Sequence, residues 1–223
     1  MNKTMKCLAA ATMGVSLLTA LSSKATPVTV QELSVGPDEV VNITSSILGT
    51  ADVYAGINKL LVNGVATDGF CIDPFHWSAT GVQNYDSEPL SSSPKPPGGP
   101  MGAAEAMKIE QLWQYAYAPS MSAAQAAGLQ IAIWEVIGAG ATGGATFTLN
   151  GNDYGASGLL TWVNNNPNAA AANLLGLTGP GQDYVIPNSG GGGGSVPDSG
   201  ATLLLFGGTL CGLFILRRQA CIS

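Results

Sequence analysis

The chain has 223 residues, with 14 Asp and Glu against 8 Lys and Arg, a net charge of −6. The charge is unevenly placed: Lys3, Lys6 and Lys24 lie at one end and Arg217 and Arg218 at the other, so residues 26–200 carry three lysines, no arginine and all 14 acids, a net of −11. A region so poor in basic groups is excluded as a nucleic-acid binder, and about 175 residues suffice for one domain with its own core.

Residues 1–25 read as a secretory signal peptide. Lys3 and Lys6 give the positive start, Cys7 to Leu21 is an apolar run, and Ser23-Lys24-Ala25 sets small residues two apart for cleavage. An uncleaved anchor is the alternative, but the run is shorter than the ~20 residues that span a bilayer. Short strands are expected at Val28-Thr29-Val30, Val40 to Ile43, Ala51 to Tyr54 and Gly69 to Ile72, with a hairpin turn at Asn63-Gly64 after Leu60-Leu61-Val62. Ser87 to Gly102 reads as a proline-rich loop. A helix follows over Ala103 to Ala118, with Met107, Leu112, Trp113 and Tyr117 as its buried stripe. Ser122 is the expected N-cap of a second helix, Ala123 to Ile137. Further on, Thr146 to Leu149 reads as a strand, Leu159 to Val163 and Ala169 to Leu175 as helices, and Asp183 to Ile186 as a last strand. Strands, helices and strands again predict an α+β domain over residues 26–187, a small sandwich-like sheet with packed helices. Residues 188–195 form a glycine-rich linker.

Few residues can carry chemistry. Gly138-Ala-Gly140-Ala-Thr-Gly143 spells a dinucleotide fingerprint but follows a helix instead of opening one after a strand, so no nucleotide cofactor is expected. One histidine and one cysteine in the domain give no zinc constellation, and no metal or other cofactor is expected. Cys7 leaves with the signal peptide, and Cys211 and Cys221 lie in the tail, so Cys71 stands alone and no disulfide can form within the domain. Its candidate states are an inert buried thiol, an intermolecular bridge, a nucleophile, or half of another crosslink. A Cys71/His76 hydrolase is conceivable, but a nucleophile and base five positions apart in an extended or turning segment seldom give the geometry. The second oddity is Gln130 inside Leu129-Gln-Ile-Ala-Ile-Trp134. It shares a helical face with Ala126, Ile133 and Ile137, so its amide is aimed at the core and needs partners there. Capping a backbone group or a strand edge would supply them.

Phe70-Cys71-Ile72-Asp73, the aromatic cluster ending in Tyr115-Ala-Tyr117-Ala-Pro119, and Leu129-Gln130-Ile-Ala-Ile-Trp134 together resemble the thioester domains of bacterial surface adhesins. The resemblance covers about Asp68 to Ile137. It implies an internal thioester between Cys71 and Gln130 that captures amines covalently, a single-use device and not a turnover enzyme. This chain has Leu129 where that family usually has threonine. On this reading Phe75, Trp77 and Trp134 are candidate shields against water, and Asp73 and His76 are candidate assisting groups that otherwise only hydrogen-bond a strand end.

At the C-terminus, Val196-Pro197-Asp198-Ser199-Gly200, the uncharged stretch 201–216 and the basic tail 217–223 with Arg217 and Arg218 resemble a variant of the PEP-CTERM sorting signal. Sixteen helical residues cover about 24 Å, a short membrane span with snorkelling arginines placed in the cytoplasm. The resemblance implies an exosortase-type membrane protease as partner, cleaving near Pro197 to Gly200, and release to the cell surface or extracellular matrix. A permanent single-pass anchor is the alternative. The expected function is adhesion to an unidentified surface protein or polysaccharide; the rival is a non-covalent structural protein of an exopolysaccharide matrix.

Overall fold

The computed structural model describes residues 25–95, 98–138 and 147–188. The signal peptide, most of the glycine linker, the sorting motif, the apolar stretch 201–216 and Arg217 and Arg218 lie outside the described residues, as does most of the glycine fingerprint. Among the described residues no helix is long and apolar enough to cross a membrane.

Strand outweighs helix. β1 (Thr26–Ser45), β2 (Gly49–Val62), β3 (Val65–Cys71) and β4 (Gln83–Pro89) come first, then helices α1 (Ala103–Ala116) and α2 (Ala123–Gly138). β5 (Phe147–Asn150), α3 (Ala156–Asn165), β6 (Leu174–Thr178) and β7 (Tyr184–Pro187) complete the described order. The strands run β2-β3-β7-β6-β4-β1-β5, and β1 also pairs with β2, so six of them close into a ring with β5 appended. All pairings are antiparallel. The expected sandwich is therefore replaced by a small barrel in which each of the six ring strands is paired on both sides over part of its length.

β1 makes closure possible. Its first residues pair with β4, its remainder with β2, and its end with β5. The two separate strands expected at residues 28–30 and 40–43 are one strand of 20 residues. Gly36 and Pro37 fall where the β1–β2 ladder shifts between Val35 and Asp38, so the missing Pro37 N–H costs no ladder bond. β2 and β3 meet at the expected turn, with Asn63 and Gly64 at φ 50° and 78°, the left-handed pair a tight hairpin requires.

Two cores result. Val30, Leu60, Tyr85, Leu177, Tyr184 and Ile186, drawn from five strands, pack together within the ring. The larger core joins the sheet to the helices through Ile43, Ile57, Phe70, Leu112, Leu129, Ile133 and Trp134. α2 is buried on nearly every side, with Ala126 to Trp134, Val136 and Ile137 all inaccessible. α1 turns Ile109, Leu112 and Trp113 inward, but Met107, expected in that stripe, is 46% exposed. The helix expected at 169–175 does not form. Leu175 pairs with Pro89 and Ile186 instead, and the Ala172 N–H binds the Glu110 carbonyl, so the segment is extended and tied to α1. The loop expected from Ser87 begins later, since β4 runs through Pro89.

Candidate functional site around Cys71 and Gln130

β3 ends in Phe70 and Cys71, both of which belong to the larger core. Phe70 faces α1, edge-on to Trp113 with ring centroids 5.3 Å apart and to Tyr117 at 6.2 Å. The Tyr117 hydroxyl donates to Asp68 Oδ2 (3.0 Å), and Lys59 Nζ holds the other oxygen of that carboxylate at 2.8 Å. The end of α1 is thereby pinned to β3. Cys71 is paired with Tyr184, so its side chain shares the face of that ring-interior residue.

The β2–β3 ladder runs only as far as Asn58 opposite Gly69. Continuing that register would set Cys71 opposite Gly56, but Gly56 is covered by β1: a Cβ there would lie directly against the Pro37 carbonyl and Asp38. On the β2 side the backbone of Cys71 is left without a strand partner. Gln130 supplies one. Its Oε1 accepts from the Cys71 N–H at 2.9 Å, and its Nε2 donates to the Cys71 carbonyl at 2.8 Å. A side-chain amide thus stands in for the peptide group of a missing strand residue. Both groups are buried, Gln130 at 1% and Cys71 at 2% exposure. Sequence reasoning placed Gln130 in the core, and the contact it makes there is with Cys71, 59 positions away.

The sulfur has its own environment. The Asp73 N–H donates to Cys71 Sγ at 3.2 Å. Asp73 is itself 3% exposed; its Oδ1 accepts from the Phe75 N–H at 3.0 Å, and its Oδ2 lies 2.6 Å from His76 Nδ1. This leaves the His76 Nε2 edge toward solvent on a half-exposed ring. Burial pushes the Cys71 thiol well up; the Trp134 indole N–H and the Asp73 backbone N–H oppose the rise, and the Asp73 and Asp183 carboxylates add to it. Asp183 is pushed up to about 7, chiefly by burial, although the Gly179 N–H supports its charge. Cys71 is therefore a protonated thiol at neutral pH, unlike a thiolate nucleophile.

A cleft of about 150 Å³ leads from the surface to this point, lined among others by Cys71, Asn58, Glu32, His76, Trp77 and Trp134. Phe75 is fully buried and Trp134 2% exposed, as shields would be; Trp77 is 59% exposed and stands at the mouth. Sequence reasoning missed Asn58, Glu32 and Tyr184. With its amide oriented as its neighbours require, Asn58 donates to Glu32 Oε1 (2.9 Å) and offers Oδ1 to the Cys71 N–H (3.2 Å). The Tyr184 hydroxyl donates to Glu32 Oε2 at 3.1 Å. The signal was present: Asn58 interrupts an apolar strand as Gln130 interrupts an apolar helix. Among the described residues no group of three His, Cys, Asp or Glu side chains is placed to hold a metal ion.

Comparison with known proteins reaches one part of the chain. No curated protein and no solved structure shows detectable similarity. Residues 195–220 match the VPDSG-CTERM motif, so the C-terminus is similar to sorting signals of the PEP-CTERM kind, which supports an exported protein whose tail is suited to an exosortase-type membrane enzyme.

Proposed function

We propose that the domain is a surface adhesin that forms an internal thioester between Cys71 and Gln130 and uses it to capture an amine covalently. The observation that carries this is the double hydrogen bond between the Gln130 amide and the Cys71 backbone, buried beside the sulfur. In bond formation Sγ attacks Gln130 Cδ, the thiol proton passes to the departing nitrogen, and ammonia leaves. The Cys71 N–H on Oε1 is suited to the charge that develops on that oxygen. The helix and the strand hold both partners in place, which is the entropic part of such a reaction. In capture, a primary amine attacks the same carbon, an amide forms, and the sulfur leaves as a thiol. His76, oriented by Asp73 and half-exposed at the cleft, is suited to take the proton of the incoming amine. After exosortase-type cleavage near Pro197 to Gly200 the domain would stand on the cell surface or in its matrix.

A second reading keeps the fold without the bond. The Gln130 amide is already satisfied by backbone groups, so it also serves as a structural clip, and the protein would be a non-covalent component of the exopolysaccharide matrix. Intact mass of the exported full chain, before and after methylamine, separates the two. A mass short by one ammonia, rising by one methylamine as the Cys71 thiol appears, is expected for the adhesin. A full mass with a free Cys71 thiol throughout would remove covalent capture and leave the matrix protein. Turnover of a hydrolysable substrate that depends on His76 would instead return the Cys71/His76 hydrolase to consideration.

A further inference from the structure

Trp134 does more than exclude water. It lies four residues beyond Gln130 on α2, so the two side chains share a helical face, and both are directed at the end of β3. Gln130 reaches the Cys71 backbone, and the Trp134 indole lines the same cleft as Cys71 one turn further on. Phe147 braces the indole, with ring centroids 5.7 Å apart and planes at 58°. Trp134 is 2% exposed, and its Nε1–H makes no hydrogen bond of full geometry, although it lies close enough to Cys71 to favour charge on the sulfur. A buried donor without a full bond is unusual enough to call for a reason.

We propose that Trp134 Nε1–H and the Asp73 backbone N–H form a two-donor cradle that holds negative charge on the Cys71 sulfur. The Asp73 donor is engaged already, at 3.2 Å. The Trp134 donor stands ready for the anion, which accepts a hydrogen bond far better than the thiol does. The sulfur needs such help because the surroundings oppose its charge: it is buried, with Asp73, Asp183, Glu32, Tyr85, Tyr184 and His76 as its titratable neighbours, three of them carboxylates. The role of the indole in speeding sulfur departure during amine capture rests on the adhesin reading. The cradle itself does not, because it acts on any Cys71 thiolate.

The test replaces Trp134 in the full chain with benzothienylalanine, which keeps the ring shape and removes the N–H, and, in parallel, with phenylalanine. Two rates are read: methylamine uptake, and iodoacetamide alkylation of Cys71 against pH, followed on the Cys71 peptide after methylamine treatment. The cradle predicts an alkylation midpoint about one pH unit higher and methylamine uptake about tenfold slower in the isostere, with unchanged melting. An unchanged midpoint in the folded isostere overturns it. If wild-type protein takes up no methylamine, covalent capture fails, while the alkylation midpoint still decides the cradle. If the phenylalanine variant does not fold, the isostere alone gives the answer.

Discussion

Exchanging Gln130 for methionine keeps the length of the side chain and removes its amide. Both hydrogen bonds to the Cys71 backbone, 2.9 and 2.8 Å, are lost. The Cys71 N–H can still turn to Asn58 Oδ1, but the carbonyl loses its Gln130 donor in a place closed to water. An orphaned buried carbonyl costs about 1–3 kcal/mol and the weakened N–H contact about 1 more, so the clip is worth about 2–4 kcal/mol. A Cys71–Gln130 bond would add to this, because it closes a loop across 59 sequence positions. By the entropy scaling used for disulfides, that closure is worth about 4 kcal/mol. The two contributions separate in a Cys71→Ala background, where no bond can form. Urea unfolding should show Gln130→Met costing about 2–4 kcal/mol with Ala at 71 and about 6–8 with Cys at 71. Equal costs in the two backgrounds would mean no bond. A cost below about 0.5 kcal/mol with Ala at 71 would refute the clip itself, since that is the scatter of an ordinary surface substitution.

Other predictions follow from single groups. Asp183 binds its proton more tightly folded than unfolded, with a folded pKa of about 7, so stability is lost as pH rises from about 4 to 7 and is flat above that window. Asp183→Asn should remove that slope, which amounts to roughly 2–4 kcal/mol in the pH dependence of unfolding. His76→Ala should slow methylamine uptake by about 100-fold without preventing ammonia loss; an equal fall in both would assign His76 to bond formation instead. Gly128→Ala would drive its Cβ onto the Tyr154 carbonyl, separating α2 from the turn before α3, and should cost about 1–3 kcal/mol in thermal melts. Gly158→Ala on α3 is the control: nothing lies within reach of its Cβ, so stability should hold or rise by up to about 1 kcal/mol.

What the sequence disclosed depended on how local the cause was. The Asn63-Gly64 turn, α2 and the inward aim of Gln130 follow from neighbouring residues, and each stands where periodicity and turn chemistry set it. Barrel closure does not, because it depends on β1 being long enough to meet β4, β2 and β5 in turn, where two short strands at residues 28–30 and 40–43 were expected. The segment 169–175 has helical composition, but pairing with β4 and a bond to α1 outweigh propensity. Met107 fits the buried stripe by spacing and is exposed because α1 packs on one narrow side. At the site, Cys71 stood out as a lone cysteine and Gln130 as an amide on an apolar helix face, and the resemblance to thioester domains paired them. Their contact was not derivable from spacing, since it arises where Gly56 yields its place to β1 and leaves the strand backbone open.

The pairing of Cys71 with Tyr184 also sets how the domain would carry tension. β7 is only four residues long and is the last described strand, so a pull from the C-terminal side enters the domain there. Part of it goes into β6 across four pairs, and part across the Phe70–Val185 and Cys71–Tyr184 pairs into β3, and from Cys71 through the Gln130 amide into α2. The load path from the tail to Gln130 therefore crosses a single strand. Because β7 is also laddered to β6 along its whole length, and β3 to β2, the same pull is shared around the ring, and the barrel resists it as one body.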